Sequence, residues 1–172
     1  SVEAEARGRV FVFREKDGKC LILRRSENEK VHPSKYCVPG GKLEWNNLPI
    51  NNPTRINGDV LDYENSVEEL LKREVLEEAG INIKDGLKYL NSVSFIRPDG
   101  IPVVLVKFAA KYSSGEVKLE ENSFTDYAWV NAKNIEKYEC ILGIKEEVKK
   151  TINLFSWIVL SSVNDYFCIE SF

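Results

Sequence analysis

Residues 71–80 read LKREVLEEAG, three glutamates in ten residues of what reads as one amphipathic helix. Val67, Leu70, Leu71 and Val75 recur at helical spacing, so one stripe of the segment is built for burial. With Glu74 at zero and about 100° per residue, Val67 and Leu71 lie about 20° and 60° to one side and Leu70 about 40° to the other. Glu78 falls near 40°, between Val67 and Leu71, and Glu77 about 60° away on the Leu70 side. The carboxylates stand in or beside the apolar arc. A lone carboxylate taken out of water costs several kcal/mol or becomes protonated, and like neighbours add repulsion. Arg73 can answer Glu77 one turn away. The charge that remains calls for a divalent cation, and oxygen ligands in a chain with a single histidine favour Mg²⁺ or Mn²⁺ over zinc. A plain solvated face accounts for a Glu-rich helix equally well, so the neighbouring sequence has to separate the two readings.

Upstream, Pro39, Gly40 and Gly41 in YCVPGGKLE make a turn that no regular element contains. Such a turn can offer a backbone carbonyl as a hard oxygen ligand, and its glycines allow close approach to the main chain. Ser66 followed by Glu69 predicts a capping box at the head of a helix over 67–79, and Gly80 predicts a left-handed C-cap. Residues 9–13 and 20–24 are β-rich runs joined by a turn at Asp17-Gly18, a hairpin. Residues 46–63 are rich in Asn and Pro and read as an inserted loop, long enough to be functional or mobile. Further strands are expected at 88–96, 103–112 and 127–130, with an RPDG turn at 97–100 and a second helix within 141–155. Strands, helix, strands, helix in that order predict an α+β domain with a mixed sheet packed between helices.

The chain has 172 residues, 43% apolar and 30% charged, with a formal net charge of -3. That balance suits one globular domain over 1–172. Charges of both signs are interspersed, so a nucleic acid polymer is not an expected partner. Cys20, Cys37, Cys140 and Cys168 form no Cys-x-x-Cys pair and read as reduced thiols. The start of the chain lacks the features of a signal peptide, and the apolar run 152–160 is about half of the roughly 20 residues a membrane span needs. A cytoplasmic protein without membrane association is the expectation. The apolar extension 152–172 would be odd in water and is expected to pack on the sheet or on a partner chain, as in a homodimer.

Gly41, then after an interval Arg73, Glu74, Val75, Glu77, Glu78, Gly80 and Ile81, resemble the Nudix box, G-x5-E-x7-R-E-U-x-E-E-x-G-U with U aliphatic. REVLEEAGI matches the second half without error, YCVPGGKLE resembles the approach to the first half, and Arg24 to Ser26, VHPSKY, SFIRPDGIP and YAWV resemble the family's common body. The resemblance covers about residues 8 to 150. It departs in two places. Asn65 stands where the family has its first glutamate, with Glu64 adjacent, and Glu44 and Asn65 are 21 positions apart, an interruption of about 18 residues.

The resemblance implies a Nudix-like α/β/α sandwich and a hydrolase that cleaves the pyrophosphate bond of a nucleoside diphosphate linked to another moiety, a small-molecule substrate. It implies Mg²⁺ or Mn²⁺ held by Glu77, Glu78 and the Gly41 carbonyl, with Glu74 as a further ligand or as the base that takes a proton from water, and Arg73 orienting Glu77. Glu120 and Glu121 are nearest to where the family often places a distal carboxylate. Tyr36, Phe95, Arg97 and Tyr127 could touch a base or phosphate, although each also suits ordinary core or surface. No Gly-x-Ser-x-Gly elbow accompanies His32, and Cys37 reads as an inert strand residue. A nucleotide-binding or sensing module that has lost catalysis is the alternative function.

Overall fold

A computed structural model describes residues 3–167 of the chain. The opening hairpin forms as expected: β1 (Glu5–Arg14) turns through Gly18, whose φ of 67° suits glycine, into β2 (Lys19–Arg25). Short strands β3 (Tyr36–Cys37) and β4 (Gly40–Lys42) flank the Pro-Gly-Gly turn and pair with β2 and β1. The segment read as a loop at 46–63 carries structure of its own. It holds part of a 3₁₀ turn (Trp45–Asn47) and a small hairpin of β5 (Arg55–Asn57) and β6 (Val60–Asp62), which pair only with each other.

Helix α1 (Ser66–Ala79) is followed by β7 (Asn82–Ile83), β8 (Lys88–Ile96), β9 (Pro102–Ser114), β10 (Phe124–Val130) and α2 (Ile144–Phe167). The main sheet runs β10-β2-β1-β9-β7, with β3, β4 and β8 pairing at its margins. It is mixed: β1 lies parallel to β9 and antiparallel to β2. Period-2 alternation along β1 then decides both faces. Val10 and Val12 face α1, with Leu71, Val75 and Ala79, whereas Phe11 and Phe13 face α2, with Ile144, Val148 and Phe155. The sheet is thus sandwiched between two helices, the α+β arrangement expected.

Helix α1 ends as predicted at Gly80, with φ 69° and its N–H bonded to the Leu76 carbonyl. Its start is a correction. Ser66 is the first helical residue, Asn65 is the N-cap in the left-handed region, and no side chain caps the helix. A capping side chain must sit on an extended N-cap to reach back to the first turn, and Ser66 is already wound into the helix. The second helix starts three residues later than the expected range and runs further, to Phe167. Ile152 and Phe155, at the head of the apolar extension, pack into the α2 face of the core, where Phe155 stacks on Phe13 at 5.2 Å. The packing expectation for residues 157–172 of the extension lies outside what is described, as does that for Cys168. Cys20, Cys37 and Cys140 are free thiols, the first two buried. Among the described residues no helix is long and apolar enough to cross a membrane.

Candidate active site

Glycines let α1 lie close on the sheet. A Cβ at Gly8 of β1 would stand 3.1 Å from the Leu71 side chain, so the helix packs almost directly on strand backbone there. Gly8 pairs with Gly41 across β1 and β4, and at Gly41 an added Cβ would fall 2.6 Å from the carboxyl carbon of Glu74. One turn further along, Glu78 Oε2 accepts a hydrogen bond from the Gly40 N–H at 3.3 Å. Leu71, Glu74 and Glu78 therefore follow one another over Gly8, Gly41 and Gly40. The apolar arc of the helix buries, and the carboxylates at its edge are carried down onto the Pro-Gly-Gly turn.

These carboxylates are electrostatically costly. Burial pushes Glu78 up to about 9, and the neighbouring Glu74 adds to the effect. Glu74 is raised as well, chiefly by burial and then by Glu77. Glu120 reinforces both shifts, because the strand-like loop before β10 runs over the end of α1, with the Glu120 N–H bonded to the Glu78 carbonyl at 3.0 Å. Glu121 is not among the groups acting on them. Glu77 differs: its side chain is 55% exposed and faces Arg73 Nε at 3.7 Å, the i, i+4 pair expected. Arg73 also stands 4.0 Å from Glu74, and its Nη2 is buried without a hydrogen-bond partner.

The donor set can be tested against a divalent cation. Among the described residues, Glu78 has no ion-pair partner, and the amide of Gly40 is the one hydrogen bond to its carboxylate. Two adjoining, half-buried carboxylates, Glu78 without an ion pair and Glu74 with only Arg73 at 4.0 Å, beside a glycine backbone are hard oxygen donors that suit Mg²⁺ or Mn²⁺. No three His, Cys, Asp or Glu side chains close into a cage among the described residues.

Beside Glu78 and Gly40 lies a cavity of about 770 Å³ floored by β1 and β9 and walled by the segment before β3 and the tip of the β8–β9 hairpin. Phe95 and Arg97, singled out in the sequence, line it; Tyr36 and Tyr127 do not. Tyr36 instead donates to Asp126 at 2.7 Å. The Asn65 side chain makes no capping bond, and Glu64 pairs with Arg55 at 3.3 Å, so neither is drawn to the carboxylates. Sequence reasoning missed Arg7, Arg9 and Arg25 in the cavity. Arg7 and Arg9 alternate with Gly8 and Val10 on the face that continues to Phe11, and charges at inward positions of an otherwise buried strand were the available signal.

A mixed sheet between two helices, with a carboxylate-bearing helix seated on a glycine turn, is the architecture of the site. A family model for the NUDIX domain matches residues 5–150, and the chain belongs to the Nudix family. The chain is similar to the NAD-capped RNA hydrolases NudC of Actinobacillus succinogenes, 36% identical over 64 residues, and of Haemophilus influenzae, 40% identical over 62 residues. Those matches cover 37% and 36% of this chain and only 23% and 22% of the relatives, so the chain spans less than a quarter of their length. Among solved structures, the MutT protein from Methanosarcina mazei Go1 is similar at TM-score 0.61 and 26% identity, covering 91% of this chain and 99% of that one. The NUDIX domain of Shewanella oneidensis NrtR, complexed with ADP ribose, shares the fold at TM-score 0.63 and 15% identity, covering 89% of each chain.

Proposed function

We propose that this protein is a Mg²⁺- or Mn²⁺-dependent pyrophosphohydrolase that cleaves the diphosphate of a nucleoside diphosphate linked to another moiety. The observation that supports this most is the Glu74–Glu78 pair held against the Gly40-Gly41 turn, with Glu78 free of any ion pair among the described residues, next to a cavity large enough for a nucleotide. Glu74, Glu78 and the Gly41 carbonyl would hold the ion, with Glu77 joining from the solvent side. A bound divalent cation would neutralise charge developing on the phosphoryl and leaving oxygens and make a water more acidic. Glu74, raised in pKa and backed against Gly41, is suited either to ligate or to accept the water's proton. Arg73 restrains Glu77 and sets which way it turns. Glu120 adds negative charge at the same point and can act as the distal carboxylate.

The test is release of phosphate or nucleoside monophosphate from a panel with Mg²⁺: nucleoside triphosphates, nucleotide sugars, ADP-ribose, NAD and, from the relatives' names, an NAD-capped RNA. Turnover that Glu77→Gln and Glu78→Gln each reduce by about 10²-fold or more supports the reading. A panel on which the wild-type protein and both variants are equally inactive would leave a binding or sensing module as the function.

A further inference from the structure

Four arginines line the cavity, and three of them are ion-paired, two of them sharing Glu5 with Lys42. Arg7 pairs with Glu5 at 3.0 Å, Arg97 with Glu5 at 2.8 Å and Asp99 at 2.7 Å, and Arg25 with Glu29 at 3.0 Å. Arg9 is the exception. Among the described residues its guanidinium has neither an ion pair nor a side-chain hydrogen bond. Its stem lies against Gly40, where an added Cβ would meet Arg9 Cγ at 3.0 Å, so its position is set by close backbone packing. The strand partner on its other side is Lys107, whose charge is bound to Glu147, a pair 9% and 7% exposed. Glu147 acts on Arg9 from a distance without touching it: its Oε1 is bound to that lysine and its Oε2 has no hydrogen-bond partner. Burial pulls the Arg9 pKa below the ordinary arginine value. A partly desolvated cation without a counter-charge costs stability, and a guanidinium is suited to bind phosphate in a fork.

We propose that Arg9 binds a second anionic group of the substrate, a phosphoryl group over the sheet floor distinct from the one at the Glu74–Glu78 carboxylates, and so selects substrates that place one there. The phosphoryl identity rests on the hydrolase reading above; the presence of an anion site does not. The cavity's other arginines are ion-paired, so among the described residues Arg9 is the cavity arginine that meets an incoming anion without a carboxylate partner, across the sheet from the turn that bonds Glu78.

The experiment uses the full chain in EDTA, where the bare carboxylates repel anions, and titrates inorganic pyrophosphate by calorimetry at fixed ionic strength. Wild type is expected to bind. Arg9→Met should weaken binding by at least about tenfold, and Arg9→Lys by less than about fivefold, since a point charge replaces the fork. Arg7→Met, which removes an arginine already ion-paired to Glu5, should change it by less than about threefold. With Mg²⁺ and a cleaved substrate, Arg9→Met should raise KM with kcat within about threefold. Arg9→Met binding like wild type, or Arg7→Met losing as much as Arg9→Met, overturns the assignment. Should Arg9→Met fail to fold, Arg9→Gln and Arg9→Lys carry the same comparison. Loss of pyrophosphate binding in Arg9→Met in a protein that hydrolyses nothing would uphold the anion site and reject the hydrolase. Turnover that depends on Glu78 alongside unchanged binding in Arg9→Met would do the reverse.

Discussion

Gly40 and Gly41 are adjacent, and the structure predicts opposite consequences for replacing them by alanine. At Gly41 the new methyl would stand 2.6 Å from Glu74 Cδ and Oε1 and 2.9 Å from its Cγ, all toward the free end of one flexible side chain. Contact between carbons begins near 3.5 Å, so the carboxylate must retreat by about 1 Å. Rotating one side chain costs about 1 kcal/mol, a small part of a typical domain's stability. A displacement of that size at a catalytic group costs about 10²-fold in rate. At Gly40 the methyl would collide with the Gly8 carbonyl and lie 3.2 Å from Arg9 Cα, which are backbone atoms of the central strand. Nothing there can rotate away, so β4 must separate from β1 at a cost of about 3 kcal/mol or more. Urea denaturation and initial rates on one cleaved diphosphate, measured for both variants, test the pair. Gly41→Ala should lose about 1 kcal/mol or less and most of its rate, and Gly40→Ala should lose about 3 kcal/mol or more. Full activity in Gly41→Ala, or equal destabilisation of both, would refute the placement of Glu74 against the turn.

Glu78 should make metal-free stability pH-dependent. Its folded pKa, about 9, lies above the model-compound value of 4.5, so its contribution is fully present below pH 4.5 and is lost as pH rises toward 9, at about 1.4 kcal/mol per unit at most. Glu78→Gln should flatten that slope and melt higher than wild type at pH 8 in EDTA; a lower melting temperature would show the carboxylate to be part of a structural network. Lys107→Met strands the buried Glu147 carboxylate, one oxygen of which already lacks a partner, and should cost about 3–5 kcal/mol in urea denaturation, while adding Glu147→Leu should recover most of it. A single-variant loss below about 1 kcal/mol would contradict the burial of the pair. Replacing residues 46–63 by a short turn should leave the circular dichroism unchanged and shift stability by about 1 kcal/mol or less, because β5 and β6 pair only with each other; unfolding would show that the insertion supports α1.

The carboxylate helix was legible because its information is local. Periodicity ties Leu70, Leu71 and Val75 to the core and carries Glu74 and Glu78 along at fixed angles, and Gly80 can end the helix without strain. Strand positions followed likewise from alternation and turn residues. The start of α1 was misread because a Ser-x-x-Glu pattern does not say which residue is still extended, and Asn65 in the left-handed region shifts the helix one residue forward.

Sequence alone determined the sandwich, the box-bearing helix and the excess negative charge on it, all of which depend on spacing within single elements. Tertiary structure alone decided what surrounds that charge: Glu120 brought in over the end of α1, and Arg9 left unpaired between Gly40 and Lys107. Those outcomes depend on β1 pairing in parallel with β9, nearly a hundred residues away, and on glycines thin enough for α1 to rest on the strands. Side-chain neighbours set by long-range pairing have no counterpart in local periodicity, which is why the floor of the cavity came into view only with the fold.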